Sequence, residues 1–207
     1  ATTHWYYLRG MLKRHPTIEY VADRRMVSDG SVATTTGITA AMPMMLTLIE
    51  AIAGRAKAEA VARGLGLERW DARHASRAFR LTRPFVTTVL LNRLTFWNHE
   101  DLGIRLEPGM DEVSLALAAD AWSRTYRSRA VTFAASASAI ATANGVRVLP
   151  DRERADVPED RRVPTFPGAR PVDALDRTLQ AITSRYGEST ANVVAMQLEY
   201  PRRAETP

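Results

Sequence analysis

The chain has 207 residues, 45% of them apolar and 25% charged, which fits one α/β domain or two small ones. It contains no Cys, so disulfides, thiolate metal sites and a Cys nucleophile within these residues are excluded. The net charge is +5, but the bases are nearly all Arg and stand among acids, as in the run DRERAD at 151–156. That is not the one-sided basic stripe that reads nucleic acid, so nucleic-acid binding through this chain is not expected. No apolar stretch reaches the roughly 18 residues of a membrane span, and no secretory pattern opens the chain, so a cytoplasmic location is expected. No HExxH, phosphate loop or other metal-ligand spacing occurs, and no cofactor is expected.

In chain order, Leu8, Met11 and Leu12 on one face predict a short helix over 5–14, ended by His15-Pro16. Ile18 to Val21 reads as a short strand. Two β-prone runs around Ser28-Asp29-Gly30 predict a hairpin over 25–34. Thr36-Gly37 turns into a long helix on which Met42, Met45, Leu46, Ile49 and Ile52 recur as core, stopped by Gly54. A second helix over 56–63 ends at Gly64. Trp70, Phe79, Phe85 and Trp97 imply buried surface over 66–100, where 86–96 fits a strand or a buried helix equally.

Residues 102–106 read as a strand, followed by the turn Glu107-Pro108-Gly109 and a helix from Glu112 to Thr125. Arg129 to Ala134 is a strand. Asn144-Gly145 turns into a further strand over 146–149. The charged, proline-bearing stretch 151–171 reads as a surface linker. The last long helix, 172–186, carries Val172, Leu175, Leu179, Ile182 and Tyr186 on one face, and a short helix follows Gly187 through Leu198.

Sliding the chain against itself by 133 positions aligns 46–65 with 179–198 and gives seven identities in twenty: Leu46, Ile49, Gly54, Ala58, Val61, Ala62 and Leu65 recur. Duplication of a terminal helix pair accounts for this, as does the general likeness of two amphipathic helices with Gly stops.

The opening ATTHW, a helix, a short strand, the Asp29-Gly30 hairpin and TTTGITAAMPMMLTLIEAIAG resemble, in that order, the C-terminal half of the ThiJ/PfpI superfamily, the class I glutamine-amidotransferase-like fold. The nearest resemblance is to domains of this type in bacterial AraC-family regulators. LGIRLEPGMDEVSLALAADAWSRT and SRAVTFAAS…ANGVRVLPD resemble the N-terminal half, and 170–200 its last helices. The resemblance implies an α/β fold: a partial flavodoxin-like, glutamine-amidotransferase-like three-layer sandwich, duplicated and incomplete. The expected division is 1–80 as the end of one copy, 81–101 as connector and 102–207 as a shortened second copy. Because the chain opens on ATTHW without Met, it is expected to begin inside a domain.

The resemblance also implies site residues. His4 falls where the family places a histidine beside its nucleophile, and Glu112 where it places a carboxylate that hydrogen-bonds the Cys thiol. Trp5 and Gly37 are expected to line the pocket. A nearby imidazole and a hydrogen-bonding carboxyl are what a thiolate requires. The expected function is Cys-dependent hydrolase or amidase-like chemistry on a small molecule if a nucleophile elbow lies upstream. The alternative is a non-catalytic ligand-sensing or dimerisation domain of a bacterial transcriptional regulator. Expected partners are a second copy or a missing N-terminal half, and a small-molecule ligand. The segment 58–79 has only a faint helix-turn-helix spacing.

Overall fold

The computed structural model describes residues 1–202. The chain forms an α/β structure of two compact units: Ala1–Arg83 joined by the segment from Ala195 onward, and Pro84–Val194.

In the first unit the hairpin forms as the sequence dictates. Strand β1 (Met26–Asp29) pairs antiparallel with β2 (Val32–Thr35), and Gly30 takes φ 58° at the turn. Helix α1 (Leu8–Arg14) precedes the hairpin, and α2 (Ala41–Ala53) and α3 (Arg55–Leu65) follow it. Pro43 and Leu46 are the buried residues of α2, whereas Met45 and Ile52 point outward at 52% and 78% exposure. The apolar spacing along α2 therefore overstates its buried face. Residues 18–21 form no strand; Val21 N–H instead donates to the Ala1 carbonyl at 2.9 Å. Helix α3 runs past Gly64 to a left-handed Gly66, where Leu67 N–H closes on Ala62 O and Gly66 N–H on Arg63 O.

The second unit is built on a parallel sheet in the order β3-β4-β7. Strand β3 (Glu100–Arg105) leads through α5 (Glu112–Ser123) to β4 (Ser128–Ala134), and the register sets Leu102 opposite Ala130 and Ile104 opposite Thr132. Leu102, Ile104, Leu117, Trp122 and Phe133 are buried with Leu175, Leu179 and Ile182 of α6 (Pro171–Tyr186). A small ladder, β5 (Ile140–Ala141) with β6 (Arg147–Val148), carries the Gly145 turn at φ 84°.

The stretch 151–171 is more than a linker. It supplies β7 (Arg152–Glu153), a parallel bridge from Arg162 to Gly103, and the buried Val157 and Val163. A Cβ on Gly103 would stand 2.5 Å from Val157 Cγ1, so the close approach needs glycine. Of residues 86–96, those up to Leu94 resolve as helix, within α4 (Arg83–Leu94), and Phe96 opens a short 3-10 turn. Only Phe85 and Asn92 of α4 are buried; Leu90, Leu91, Leu94, Phe96 and Trp97 are more than half exposed. The buried surface expected of Trp97 is thus absent. Asn92 ties α4 down by donating from Nδ2 to Thr125 O at 2.9 Å and to Thr190 Oγ1 at 3.2 Å.

Helix α7 (Glu188–Leu198) leads out of the second unit and ends in the first. Its bounds coincide with those of α3 at the 133-position offset, and the glycines before the two helices share a conformation: Gly54 at φ 82°, ψ 165° and Gly187 at φ 88°, ψ 159°.

Candidate functional site

The feature that sequence reasoning missed is Glu199. It follows α7 as the helix closes in a Schellman motif, with Tyr200 N–H on Ala195 O and Glu199 N–H on Met196 O. That motif wants a left-handed residue, and Glu199 takes φ 51° where the matching position of α3 has glycine. A side chain normally costs about 1–2 kcal/mol in this region. Here it is held by a set of donors. Oε1 accepts from Trp5 N–H at 2.9 Å, and Oε2 accepts from Gly37 N–H at 2.9 Å and from His74 Nε2 at 3.2 Å. The glutamate and imidazole side chains are 2% and 8% exposed, so this is a buried acid with its oxygens satisfied.

Burial pushes the Glu199 carboxyl upward, but the His74 and backbone donors outweigh it and hold the group below the ordinary carboxylate value. The Thr36 hydroxyl also favours the ionised form, although it is buried without a well-formed hydrogen bond. His74 is fixed from its face by Phe79, stacked with ring centroids 5.2 Å apart and planes 3° from parallel. No sequence spacing reveals this pair, because residues 74 and 199 meet only through the fold. A signal existed: a Glu where the echo places Gly66.

Gly37 serves this site through its backbone. Its φ of −72° is ordinary, but a Cβ there would lie 2.6 Å from Glu199 Cβ and 2.8 Å from Leu198 O. Glycine is what lets the backbone N–H reach the carboxylate. Thr39 Oγ1 adds a hydrogen bond to Leu198 O at 3.0 Å.

His4 is committed at both ring nitrogens. Nδ1 accepts from Tyr6 N–H at 3.2 Å, so Nε2, 3.0 Å from Gln197 O, is the donor to that carbonyl. Trp5 donates from Nε1 to Met196 O at 2.9 Å. Both residues thus anchor the last turn of α7. Trp5, His74, Phe79 and Glu199 line a cleft of about 530 Å³, together with Tyr6, Tyr20, Arg9, Arg77 and Arg80. Its walls combine aromatic faces with guanidinium groups.

Glu112 belongs to the second unit, where it opens α5 directly after the N-cap Asp111, whose Oδ1 accepts from Ser114 N–H at 2.6 Å. Glu112 Oε1 accepts from Asn144 Nδ2 at 2.8 Å. Its own backbone N–H is the main cause that lowers its carboxyl below the ordinary value; Asn144 and Thr142 add to this, and desolvation opposes it. Glu112 Oε2 and Ser114 Oγ are buried without a hydrogen-bond partner. His4 and Glu112 are thus each held by residues of their own unit.

Among the described residues no group of three or more His, Cys, Asp or Glu could hold a metal, and no helix is long and apolar enough to cross a membrane. The segment 58–79 forms no helix-turn-helix: after α3 it holds only the three-residue turn Ser76–Ala78.

No protein-family model and no curated protein matches the chain. Several solved structures share partial likeness, two DJ-1 proteins among them. Oxidized DJ-1 of Toxoplasma gondii aligns over 48% of this chain and 98% of its own, at 12% identity and a TM-score of 0.37. DJ-1beta of Drosophila melanogaster aligns over 49% of this chain and 61% of its own, at 20% identity and a TM-score of 0.30. Likeness at this level assigns no activity.

Proposed function

We propose that this chain is a non-catalytic, ligand-binding part of a ThiJ/PfpI-type protein, with the cleft beside Glu199 and His74 as its small-molecule site. The observation that carries this is the state of His4. The imidazole that the family resemblance casts as the nucleophile's partner has both nitrogens occupied by backbone groups. A general base needs a free nitrogen within reach of the proton it takes. The cleft has the size of a small-molecule site, roughly 300–1,000 Å³. Trp5, Tyr20 and Phe79 suit a ring or other apolar body, and Arg9, Arg77 and Arg80 suit an anionic group. The ligand class is therefore a small aromatic or apolar acid. A sensing domain of a bacterial regulator that works as a homo-oligomer is the setting this reading favours; sedimentation velocity tests the assembly, and a monomer at high concentration removes that part.

The second reading is Cys-dependent hydrolase or amidase-like chemistry, with the nucleophile supplied from outside residues 1–207. The buried Glu112 Oε2 without a donor favours it, since a thiol would satisfy that oxygen.

Ligand-observed NMR with a panel of small aromatic acids separates the two. Binding that Phe79→Ala and Arg80→Ala abolish, and Glu112→Gln leaves intact, supports the cleft. Turnover of amide or oxoaldehyde substrates by this chain that disappears in His4→Ala would overturn the non-catalytic reading.

A further inference from the structure

We propose that the second unit carries a separate binding site for a small phosphate monoester, at the amino-terminal ends of β3 and β4. A cleft of about 500 Å³ opens there, walled by the first two residues of each strand, Arg129 among them, and by Arg93, Arg127, Arg152 and Arg161. Glu112 follows the opposite, carboxyl end of β3, so this cleft is independent of the site that the family resemblance implies.

The charges are unevenly matched. Asp101 accepts a two-pronged contact from Arg129, at 3.0 and 2.7 Å, and a third bond from Arg152 at 2.7 Å. Glu100 is taken up by Arg185, at 2.9 and 2.7 Å, and by the Tyr186 hydroxyl at 2.5 Å. Those two carboxylates are saturated. Arg93, Arg127 and Arg161 have no salt bridge among the described residues, and Asp156 is the one other carboxylate on the wall.

Two of these guanidiniums are already positioned. Arg93 lies 4.7 Å from the Tyr126 ring centroid and Arg127 4.6 Å from that of Tyr186. Contact with a ring holds a guanidinium in place without using its N–H donors. Arg127 Nε is buried and has no hydrogen-bond acceptor. A buried charged donor without an acceptor calls for an anion. Three guanidiniums against one carboxylate suit a dianion better than a monoanion. Val131, Val157 and Pro158 give the cleft an apolar wall for the organic part.

The test follows the Nε–H resonances of arginine-labelled full chain during titration with inorganic phosphate and phenyl phosphate at constant ionic strength. A saturable shift of the Arg127 Nε–H is expected, with affinity for phenyl phosphate rising as the monoester loses its second proton near pH 6. Arg93→Gln and Arg161→Gln, both at exposed positions, each weaken binding about tenfold, the loss of one charge-assisted hydrogen bond. Arg105→Gln, at the far end of β3, leaves it unchanged. No saturable shift, or equal weakening by Arg105→Gln, overturns the proposal. Sedimentation with phosphatidic acid vesicles would instead assign the phosphate to a lipid surface and overturn the small-molecule assignment.

Discussion

Removing the Glu199 side chain strands three donors at once. In Glu199→Ala the N–H groups of Trp5 and Gly37 and the Nε2–H of His74 lose their shared acceptor in a site that is 4% exposed. A stranded buried donor costs roughly 1–3 kcal/mol, and water entering the vacated volume recovers part of it, so a loss of about 3–6 kcal/mol is expected. Glu199→Gly removes the same acceptor but relaxes the left-handed backbone, and is expected to be about 1 kcal/mol less damaging than Ala. Glu199→Gln keeps one acceptor oxygen and turns an amide NH₂ toward a donor, for a loss of about 1–3 kcal/mol. Urea unfolding at pH 7 ranks the three variants. Amide exchange at Trp5 and Gly37 assigns the damage to the first unit. If Glu199→Gly matched the parent in stability, the three hydrogen bonds would contribute nothing net, and the reasoning would fail.

The same carboxylate sets a pH dependence. Its folded pKa lies below the ordinary 4.5, so its stabilisation is complete above about pH 4.5 and is lost as the pH falls through the folded value. Acid unfolding of Glu199→Gln should therefore lose steepness below pH 4.5 and match the parent's pH profile above it. Gly37→Ala forces a methyl to within 2.6 Å of Glu199 Cβ and is expected to cost about 1–3 kcal/mol, read by thermal unfolding. Gly103→Ala does the same against Val157 and Phe133, and its loss should appear in exchange from the β3 and β4 amides. Glu112→Gln can place an NH₂ where Oε2 now lacks a donor while keeping the Asn144 bond, so its stability should stay within about 1 kcal/mol of the parent.

The readable parts of the fold are those fixed by neighbours in sequence. The Asp29-Gly30 turn, the Gly54 and Gly187 stops and the apolar face of α6 follow from backbone freedom and 3.6-residue spacing. The expectations that fail depend on distant packing. Periodicity fills α2 with five core residues, yet what lies against the helix decides that Ile52 is exposed. The stretch 151–171 reads as linker by charge and proline, but β7 pairs only two residues with β4, too few to leave an alternating pattern. At the site, Trp5 and Gly37 stand out in the sequence only through resemblance, and what the structure gives them in common is a backbone N–H on Glu199. Their shared partner is 162 residues from Gly37, beyond any local signal. His4 shows the converse: its place in the motif is visible in the sequence, but the occupation of both nitrogens is not.

The paired helix ends allow the backbone and side-chain contributions at Glu199 to be separated. Gly66 and Glu199 occupy the same position after helices of equal length, and each cap closes with the same two hydrogen bonds. Gly66→Ala measures what a Cβ costs in this left-handed cap, expected at about 1–2 kcal/mol. Adding that cost to the measured loss in Glu199→Gly gives the gross contribution of the carboxylate, because the Gly variant gains the backbone relief while losing the acceptor. A gross value several times the backbone cost means that three donors select a glutamate where local geometry favours glycine. A gross value equal to the backbone cost would mean that the carboxylate only offsets its own strain.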